Sequence, residues 1–575
     1  MSPGDLRSRS VAVVGAGPAG TTLALGLLQQ GCAVTLVTDR TAEEIRAGQV
    51  MSSQITFESA LEVEEALGIS ALLPDSPPIL RMAYDLRDAR GASSAFDVPL
   101  SAPARSVDLR VKVPAVLDAV ERLGAKVVVR NAGVDDIEEL ARGHDLVVVS
   151  TGRGGLAELF PVEPARSPHS SVQRTAALTY LRGVAADPAG PALRYHAVEG
   201  VGECFTCPAL TVDGGCDIFV VEGVPGGPLD VWADVSDAEE HLSLLRDVLA
   251  EHFPAEASRI HRAELVDGQS ALRGGFTPVV RRPVGTLPSG AHVLGMADVV
   301  VLNDPLTSQG SNNAIKSASF YLEAITSHGG AFDAAWMERT FDNFWRGWAS
   351  FATRWTNSWV QPPAPHQRDI LAAAASNPAV AERIASGFDD ARLFDPWWFD
   401  PAAAQDFLRE QRSAVASRFD TRDLRRALGQ YATGVTVVTT RHDGRSFGMT
   451  ANSFTSVSLN PPLVLWAAAK SSPSLAAFEV AERFGVNVLA SDQHHLSRQF
   501  STTGADKFEG VRLTGEDPPL LEGAVAQFVC RRTEQVDAGD HVVFLGELES
   551  YTAPGGEPLV FHSGFYHLAT KHPDL

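Results

Sequence analysis

The sequence predicts an α/β front followed by a β back: a Rossmann fold carrying an inserted antiparallel sheet, a helical tail, then a small β-barrel. Three observations predict it. Residues 11–20 read V-A-V-V-G-A-G-P-A-G, a β-branched run that breaks at Gly15, Gly17 and Gly20 before an apolar stretch of helical spacing. A length of 575 residues exceeds what one core usually serves, so two or three domains are expected. After residue 420 short alternating runs separated by turn residues replace the strand–helix rhythm of the front.

In the fingerprint Gly15 permits the tight turn, Gly17 lets backbone approach a pyrophosphate, and Gly20 lets helix pack on strand. The helix that follows offers free N–H groups and a partial positive charge to phosphate. A second strand, residues 33–37, ends at Asp39, about 20 residues on, where a ribose-binding carboxylate belongs. Residues 145–149 form another buried strand, running into Gly152. Between residues 174 and 232 the texture becomes antiparallel, with turns such as Asp213-Gly214-Gly215, and a helix is expected over 238–253. His292 to Gly295 returns as a strand leading to Asp298. A polar loop, residues 304–313, opens a helix over 314–325. The tryptophans that follow (Trp336, Trp345, Trp348, Trp355, Trp359) read as packing anchors on helices.

The junction is expected at 395–420, around Asp395-Pro396 and Asp400-Pro401. Beyond it, a hairpin turns at His442-Asp443-Gly444-Arg445, and strands are expected at 463–468, 484–489, 526–531 and 541–548. The expected domains are 1–165 with 270–330 (Rossmann), 166–269 (inserted sheet), 331–412 (helices) and 413–575 (barrel).

A net charge of −22 disfavours nucleic acid and anionic membrane as partners, and no run is long enough to cross a bilayer. Met1-Ser2-Pro3-Gly4-Asp5 carries no secretory pattern, and five scattered cysteines fit a reduced, cytoplasmic protein. Cys204-Phe205-Thr206-Cys207 has C-x-x-C spacing, but without a second pair it reads as two thiols on a strand, and no metal is expected. There is no serine-hydrolase elbow and no Walker loop.

The front, from residue 10 to about 400, resembles the FAD-dependent styrene/indole monooxygenases of the hydroxybenzoate-hydroxylase-like fold. The resemblance rests on the glycine fingerprint, Thr38-Asp39-Arg40, Val107-Asp108-Leu109-Arg110, Asp304-Pro305 with Gln309-Gly310, and Ala352-Thr353-Arg354-Trp355-Thr356-Asn357. The back resembles the short-chain flavin reductases that serve two-component monooxygenases, a split β-barrel. It does so through Tyr431-Ala432-Thr433-Gly434-Val435, Thr450-Ala451-Asn452-Ser453-Phe454, Asn460-Pro461-Pro462, Asn487-Val488-Leu489, Gly539-Asp540-His541 and Gly564-Phe565-Tyr566. The sequence departs from the styrene enzymes at Gln49 and Ser52, where an Arg and an Asn are usual, and at Ser308, where glycine is usual.

The resemblance implies an oxygenase that reduces FAD with NADH on its own barrel. The reduced FAD then reacts with O2, through a C4a-hydroperoxide, to epoxidise a styrene-like alkene or oxidise indole. It implies that Gly15, Gly17, Gly20 and Asp39 hold the ADP half of FAD and that Asp298 bonds the ribityl chain. Arg110 is placed either at the pyrophosphate or in a surface ion pair. Pro305, Gln309, Gly310, Ser311 and Asn312 line the isoalloxazine through backbone groups, and Gln49, Ser52 and Ser53 form the pocket wall. In the barrel Thr450, Ala451, Asn452, Ser453 and Phe454 cradle flavin. Lys470, Ser471 and Ser474 form a phosphate loop or a solvated turn, and His541 and His562 either contact nicotinamide or flavin or serve the fold. Reductases of this type imply a homodimer through the barrel. The rival reading is an NADH:FAD reductase that delivers reduced FAD to a separate partner monooxygenase.

Overall fold

The computed structural model describes residues 9–88, 91–151, 155–414, 421–502 and 506–570. The expected N-terminal residues Met1–Asp5, Gly152 and part of the junction (415–420) lie outside them. The chain divides into two compact units, 1–416 and 417–575.

The front unit is built on two sheets. The first has six strands in the order Val284–Thr286, His292–Gly295, Leu146–Val149, Ser10–Val14, Ala33–Thr38, Lys126–Val129. All its pairings are parallel except that between Val284–Thr286 and His292–Gly295. Val11, Val13, Val147 and Val148 are wholly buried because helices Pro18–Gln29 and Leu109–Arg122 and their neighbours cover the sheet. Ser10–Val14 is central, so the C-terminal ends of its neighbours converge on Gly15. The Gly15 N–H donates to the Val37 carbonyl at 2.9 Å, and the Ser150 N–H to the Val14 carbonyl at 2.8 Å.

The second sheet has nine strands and extends well beyond the expected 166–269. Thr175–Arg182, Ala192–Val198, Gly202–Thr211, Gly214–Gly223 and Glu264–Leu265 come from that span. Ile55–Thr56, Pro78–Arg87 and Ser93–Ser106 are drawn from the front segment, and Ala271–Gly275 from the segment after it. One pairing, Pro78–Arg87 with Ala192–Val198, is parallel, so the sheet is mixed. The physical reason is edge protection: Ala192–Val198 would otherwise expose a row of unpaired backbone groups, and the 78–106 hairpin covers it. One face packs on the C-terminal helices, where Trp355 and Trp359 stack with Phe394 and Trp398. The other face is covered by helix Ala238–His252.

The back unit is built on a seven-stranded antiparallel sheet in the order Arg445–Ala451, Thr436–His442, Arg483–Val488, Ala526–Ala538, His541–Thr552, Pro462–Ala469, Thr455–Leu459, beside a three-stranded sheet of Thr433–Gly434, Leu559–His562 and Phe565–Leu568. Its first hairpin closes through Asp443 and Gly444, both at positive φ (49° and 74°), the backbone that an Asp-Gly pair supplies at low cost. Trp466, stacked on Phe544 at 4.9 Å, anchors the core.

Candidate functional site

The three fingerprint glycines do three different things. Gly15 sits at φ +109°, and a Cβ there would press on Ser150 and Thr151 at about 3 Å. A Cβ on Gly20 would stand 1.9 Å from the Gly15 carbonyl oxygen, so only glycine lets this helix reach the strand. Around Gly17 a Cβ would meet nothing within 4 Å. That open space, at the start of a helix with no side-chain cap, fits the pyrophosphate of a dinucleotide. Asp39 follows strand Ala33–Thr38 with its carboxylate half exposed, 3.5 Å from the Arg40 Nε.

Asp298 lies on the same edge of the sheet. Asp298 is exposed, and the protein packed around its carboxylate removes enough solvent to raise its pKa to about 6. A ringed, reachable acceptor is what a ribityl hydroxyl chain requires. The residue before it, Ala297, holds a left-handed φ of 56°.

The loop ahead of helix Gln309–Ser327 has little freedom. Asp304 Oδ1 accepts from the Leu306 N–H at 3.2 Å, and Ser308 adopts φ 55°, ψ 28°. Left-handed backbone explains why glycine is usual at position 308. Pro305 is half-buried at the start of the turn Pro305–Thr307. Gln309 and Asn312 are buried, and their side chains are committed to the fold. Gln309 Nε2 donates to the carbonyls of Phe388 (2.9 Å) and Thr307 (3.2 Å). Asn312 Nδ2 donates to the Ile55 carbonyl at 3.0 Å, while its Oδ1 accepts from the Phe57 N–H at 3.0 Å. Gly310 is exposed with nothing within 4 Å of a Cβ, and Ser311 is half-buried. Besides Asp304 Oδ2 and Gln309 Oε1, which are buried without partners, the groups this turn offers a ligand are backbone groups.

Through Asn312 the structure brings residues 52–57 against this loop. Gln49 turns its amide to the Ala271 carbonyl (2.5 Å), Ser52 Oγ accepts from the Gln54 N–H (3.1 Å), and the Ser53 carbonyl accepts from Ser106 Oγ (3.1 Å). The sequence reading missed Gln54 and Tyr180. Buried Gln54, at φ 25°, donates to the Tyr180 hydroxyl at 2.6 Å, and that hydroxyl donates to the Ser52 carbonyl at 2.8 Å. No local pattern marks Gln54, whose partner is 126 residues away.

Arg110 requires a correction. It is not in a surface ion pair, because it is buried. It does not point at a phosphate either, because its Nε binds Asp108 and its Nη1 binds Asp267, each at 2.8 Å, while its Nη2 reaches Thr211 at 3.2 Å. The two carboxylates hold its pKa above the ordinary guanidinium value against the cost of burial. Arg110 ties the first sheet's helix to the second sheet.

In the back unit Thr450 Oγ1 donates to the Ser497 carbonyl at 2.6 Å, and Ser453 Oγ both accepts from and donates to the Ala467 backbone (2.9 and 3.1 Å). Ala451 is buried, Asn452 exposed, and Phe454 packs on Phe528 at 5.6 Å. Lys470 is exposed and paired with Asp537, Ser471 is exposed, and Ser474 is buried against the Gly448 carbonyl at 3.5 Å. The Lys470 N–H donates to the Asp540 carbonyl at 2.9 Å, so this loop adjoins His541, whose Nδ1 lies 2.7 Å from Asp540 Oδ1. His562 sits on a separate three-stranded sheet beside His567, not beside His541. Ser497 and Lys507 went unread in the sequence. Ser497 Oγ bonds the Tyr566 hydroxyl at 2.8 Å, and Lys507 Nζ donates to the carbonyls of Phe500 (2.8 Å) and Gly448 (3.1 Å), its pKa lowered by burial.

Comparison with known proteins matches each unit. Residues 152–259 match the family model of the styrene monooxygenase A substrate binding domain, and residues 428–569 match that of the flavin reductase like domain. The front is 29% identical over 355 residues to the styrene monooxygenase StyA of Pseudomonas fluorescens, covering 61% of this chain and 84% of that protein. The back is 44% identical over 149 residues to the FMN reductase (NADH) SmoA of Agrobacterium fabrum, covering 26% of this chain and 85% of that protein. Among solved structures, the styrene monooxygenase flavin reductase of Pseudomonas putida S12 is 32% identical, covering 26% of this chain and 99% of that one, at a TM-score of 0.25. The chain belongs to the flavin reductase family through its back unit and is StyA-like in its front unit: it is a flavin-dependent monooxygenase fused to its own flavin reductase.

Proposed function

We propose that the chain takes reducing equivalents from NADH on its back unit and spends them on its front unit, epoxidising styrene-like alkenes and oxidising indole with O2. The observation that carries this reading is the open space at Gly17 and Gly310, with Asp298 following strand His292–Gly295 of the same sheet as Ser10–Val14. Bound there, reduced FAD supplies the oxygen-activating chemistry. The chain's own residues hold and shield it. Gly15, Gly17 and Gly20 admit the pyrophosphate, Asp39 takes a ribose, and Asp298 takes the ribityl chain. The backbone at Pro305, Gly310 and Ser311 faces the ring system, while Gln309 and Asn312 hold that backbone still. Phe57, Phe388 and Trp355 pack in one apolar cluster with Leu306 behind this loop, the dry wall that a water-sensitive reaction needs.

The front is read as a hydroxybenzoate-hydroxylase-like Rossmann fold and the back as a split barrel. The domain scheme of Rossmann core, substrate sheet, helices and reductase is retained, with the sheet enlarged by residues 55–106 and 271–275. In the back unit Thr450 to Phe454 cradle flavin, Lys470, Ser471 and Ser474 meet its phosphate, and His541 meets nicotinamide. His562, apart from His541, is read as serving the small sheet. A homodimer through this unit is supported by its exposed apolar side chains, among them Tyr431, Leu459, Phe565 and Leu568. Five unpaired, buried cysteines support a reducing, cytoplasmic setting.

A second reading, delivery of reduced FAD to a separate monooxygenase, is favoured by Gln49, whose amide is spent on the Ala271 carbonyl. Supplying the purified chain with FAD and NADH, and offering styrene and indole separately, tests the two. Oxygenated product from the chain alone supports the first. Product only after a second oxygenase is added supports the other.

A further inference from the structure

Glu222 is fully buried on strand Gly214–Gly223, and neither of its carboxylate oxygens has a hydrogen-bond partner. Directly across from it in register stands Glu203. Opposed residues of an antiparallel pair share one face. Phe205, Ile218 and Val220 continue that face, and they pack in one cluster with Leu306 from the loop that opens helix Gln309–Ser327. Asp304, two residues before Leu306, is also buried, and its Oδ2 has no partner.

The charges do not balance. The cation acting on both Glu222 and Asp304 is Arg174. Its guanidinium is already bidentate on Glu203, 3.0 Å to each oxygen, and also bonds the carbonyls of Gln173 and Val360, both at 3.1 Å. Among the described residues, the remaining titratable group facing the cluster is the buried Tyr195 hydroxyl, which is neutral. Among the described residues, one cation against three buried carboxylates leaves two without a counter-charge. Two such charges at this depth do not coexist.

We propose that Glu222 stands as a neutral carboxylic acid in the working enzyme, so that Glu222 and Asp304 together carry at most one negative charge beside the flavin-facing loop. Glu222 is a positioning residue and acts through Asp304. Because Glu222 stays neutral, Asp304 is the group free to ionise, and its charged oxygen strengthens the cap on the Leu306 N–H ahead of Ser308. Burial pushes Glu222 well above the ordinary carboxylate range and Asp304 to about 6, in keeping with this order. The proton on each group exchanges with solvent, and no other bond forms or breaks. The inference rests on the reading that this loop faces the isoalloxazine.

Infrared spectroscopy of the full chain without flavin, at about pH 8 where Asp304 and Asp298 are ionised, tests it. The wild type should show the carbonyl stretch of a protonated acid, shifted by isotope-labelled glutamate and lost in Glu222→Gln. Absence of that band from the wild type overturns the proposal without any variant. Thermal unfolding adds a second readout. The folded pKa of Glu222 lies above its unfolded value, so the wild type loses stability as pH rises between the two. Glu222→Gln, a neutral isostere, escapes that loss, and its melting temperature should gain on the wild type as pH rises. Parallel curves would overturn the proposal. In product formation, the inflection near pH 6 that Asp304→Asn abolishes, as distinct from that of Asp298, should be unmoved in Glu222→Gln, whereas displacing an ionised Glu222 would lower it by roughly one unit. If the band and the melting difference are present but product formation shows no such inflection, the reading of the loop fails, and the positioning role with it.

Discussion

Asn312 holds Phe57 by the backbone: its Oδ1 accepts the Phe57 N–H at 3.0 Å, while its Nδ2 donates to the Ile55 carbonyl at 3.0 Å. One side chain thus fastens helix Gln309–Ser327 to strand Ile55–Thr56 and the residue after it. Asn312→Ala would leave a buried donor and a buried acceptor without partners, at about 1–3 kcal/mol each. Loss of roughly 3 kcal/mol is expected in urea unfolding of the full chain. Asn312→Asp should not restore it, because a carboxylate cannot donate to the Ile55 carbonyl.

Gly17→Ala and Gly20→Ala should separate binding from folding. A methyl on Gly20 would stand 1.9 Å from backbone oxygen, so Gly20→Ala should lower the melting temperature sharply in flavin-free protein. A methyl on Gly17 meets nothing within 4 Å, so Gly17→Ala should melt like the wild type yet bind FAD more weakly in the front unit. Equal melting of the two variants would remove the distinction.

Ser308→Gly should stabilise the chain slightly. The left-handed backbone at φ 55° costs a non-glycine residue about 1–2 kcal/mol, and the added freedom of glycine in the unfolded chain returns about 0.5–1 kcal/mol of that. A net gain of about 0.5 kcal/mol is expected in the urea midpoint.

His241 should make the chain sensitive to acid. Burial lowers its pKa from 6.5 to about 4, so the unfolded chain takes up the proton first as pH falls. Its contribution to stability is full above pH 6.5 and is lost progressively down to about 4. His241→Phe keeps a ring against Trp232, now 4.8 Å away, without the titration. Its melting temperature should fall less than that of the wild type across that window.

Much of the front was legible because its signals are local. The glycine turn, the strands that end before Asp39 and Asp298 and the turn that opens helix Gln309–Ser327 each announce themselves by residue type at a strand or helix end. The nine-stranded sheet was not, because Pro78–Arg87 meets Ala192–Val198 across more than a hundred residues and nothing in either strand names its partner. Arg110 was misplaced for the same reason: Asp108 is visible beside it, but Asp267 comes near only in the fold. Glu222, at the end of an apolar strand, carries no local signal. Its meaning lies in Glu203 opposite and in the lack of a free cation beside it among the described residues.

One chain carries both the unit that reduces flavin and the unit that uses it. The most direct measurement is the ratio of oxygenated product to NADH consumed, with peroxide counted alongside, for the purified chain given FAD and styrene without any added reductase or oxygenase. Product is expected in appreciable proportion to NADH, falling in Gly17→Ala while NADH oxidation continues. Rapid NADH loss that yields peroxide alone, in wild type and variant alike, would contradict it.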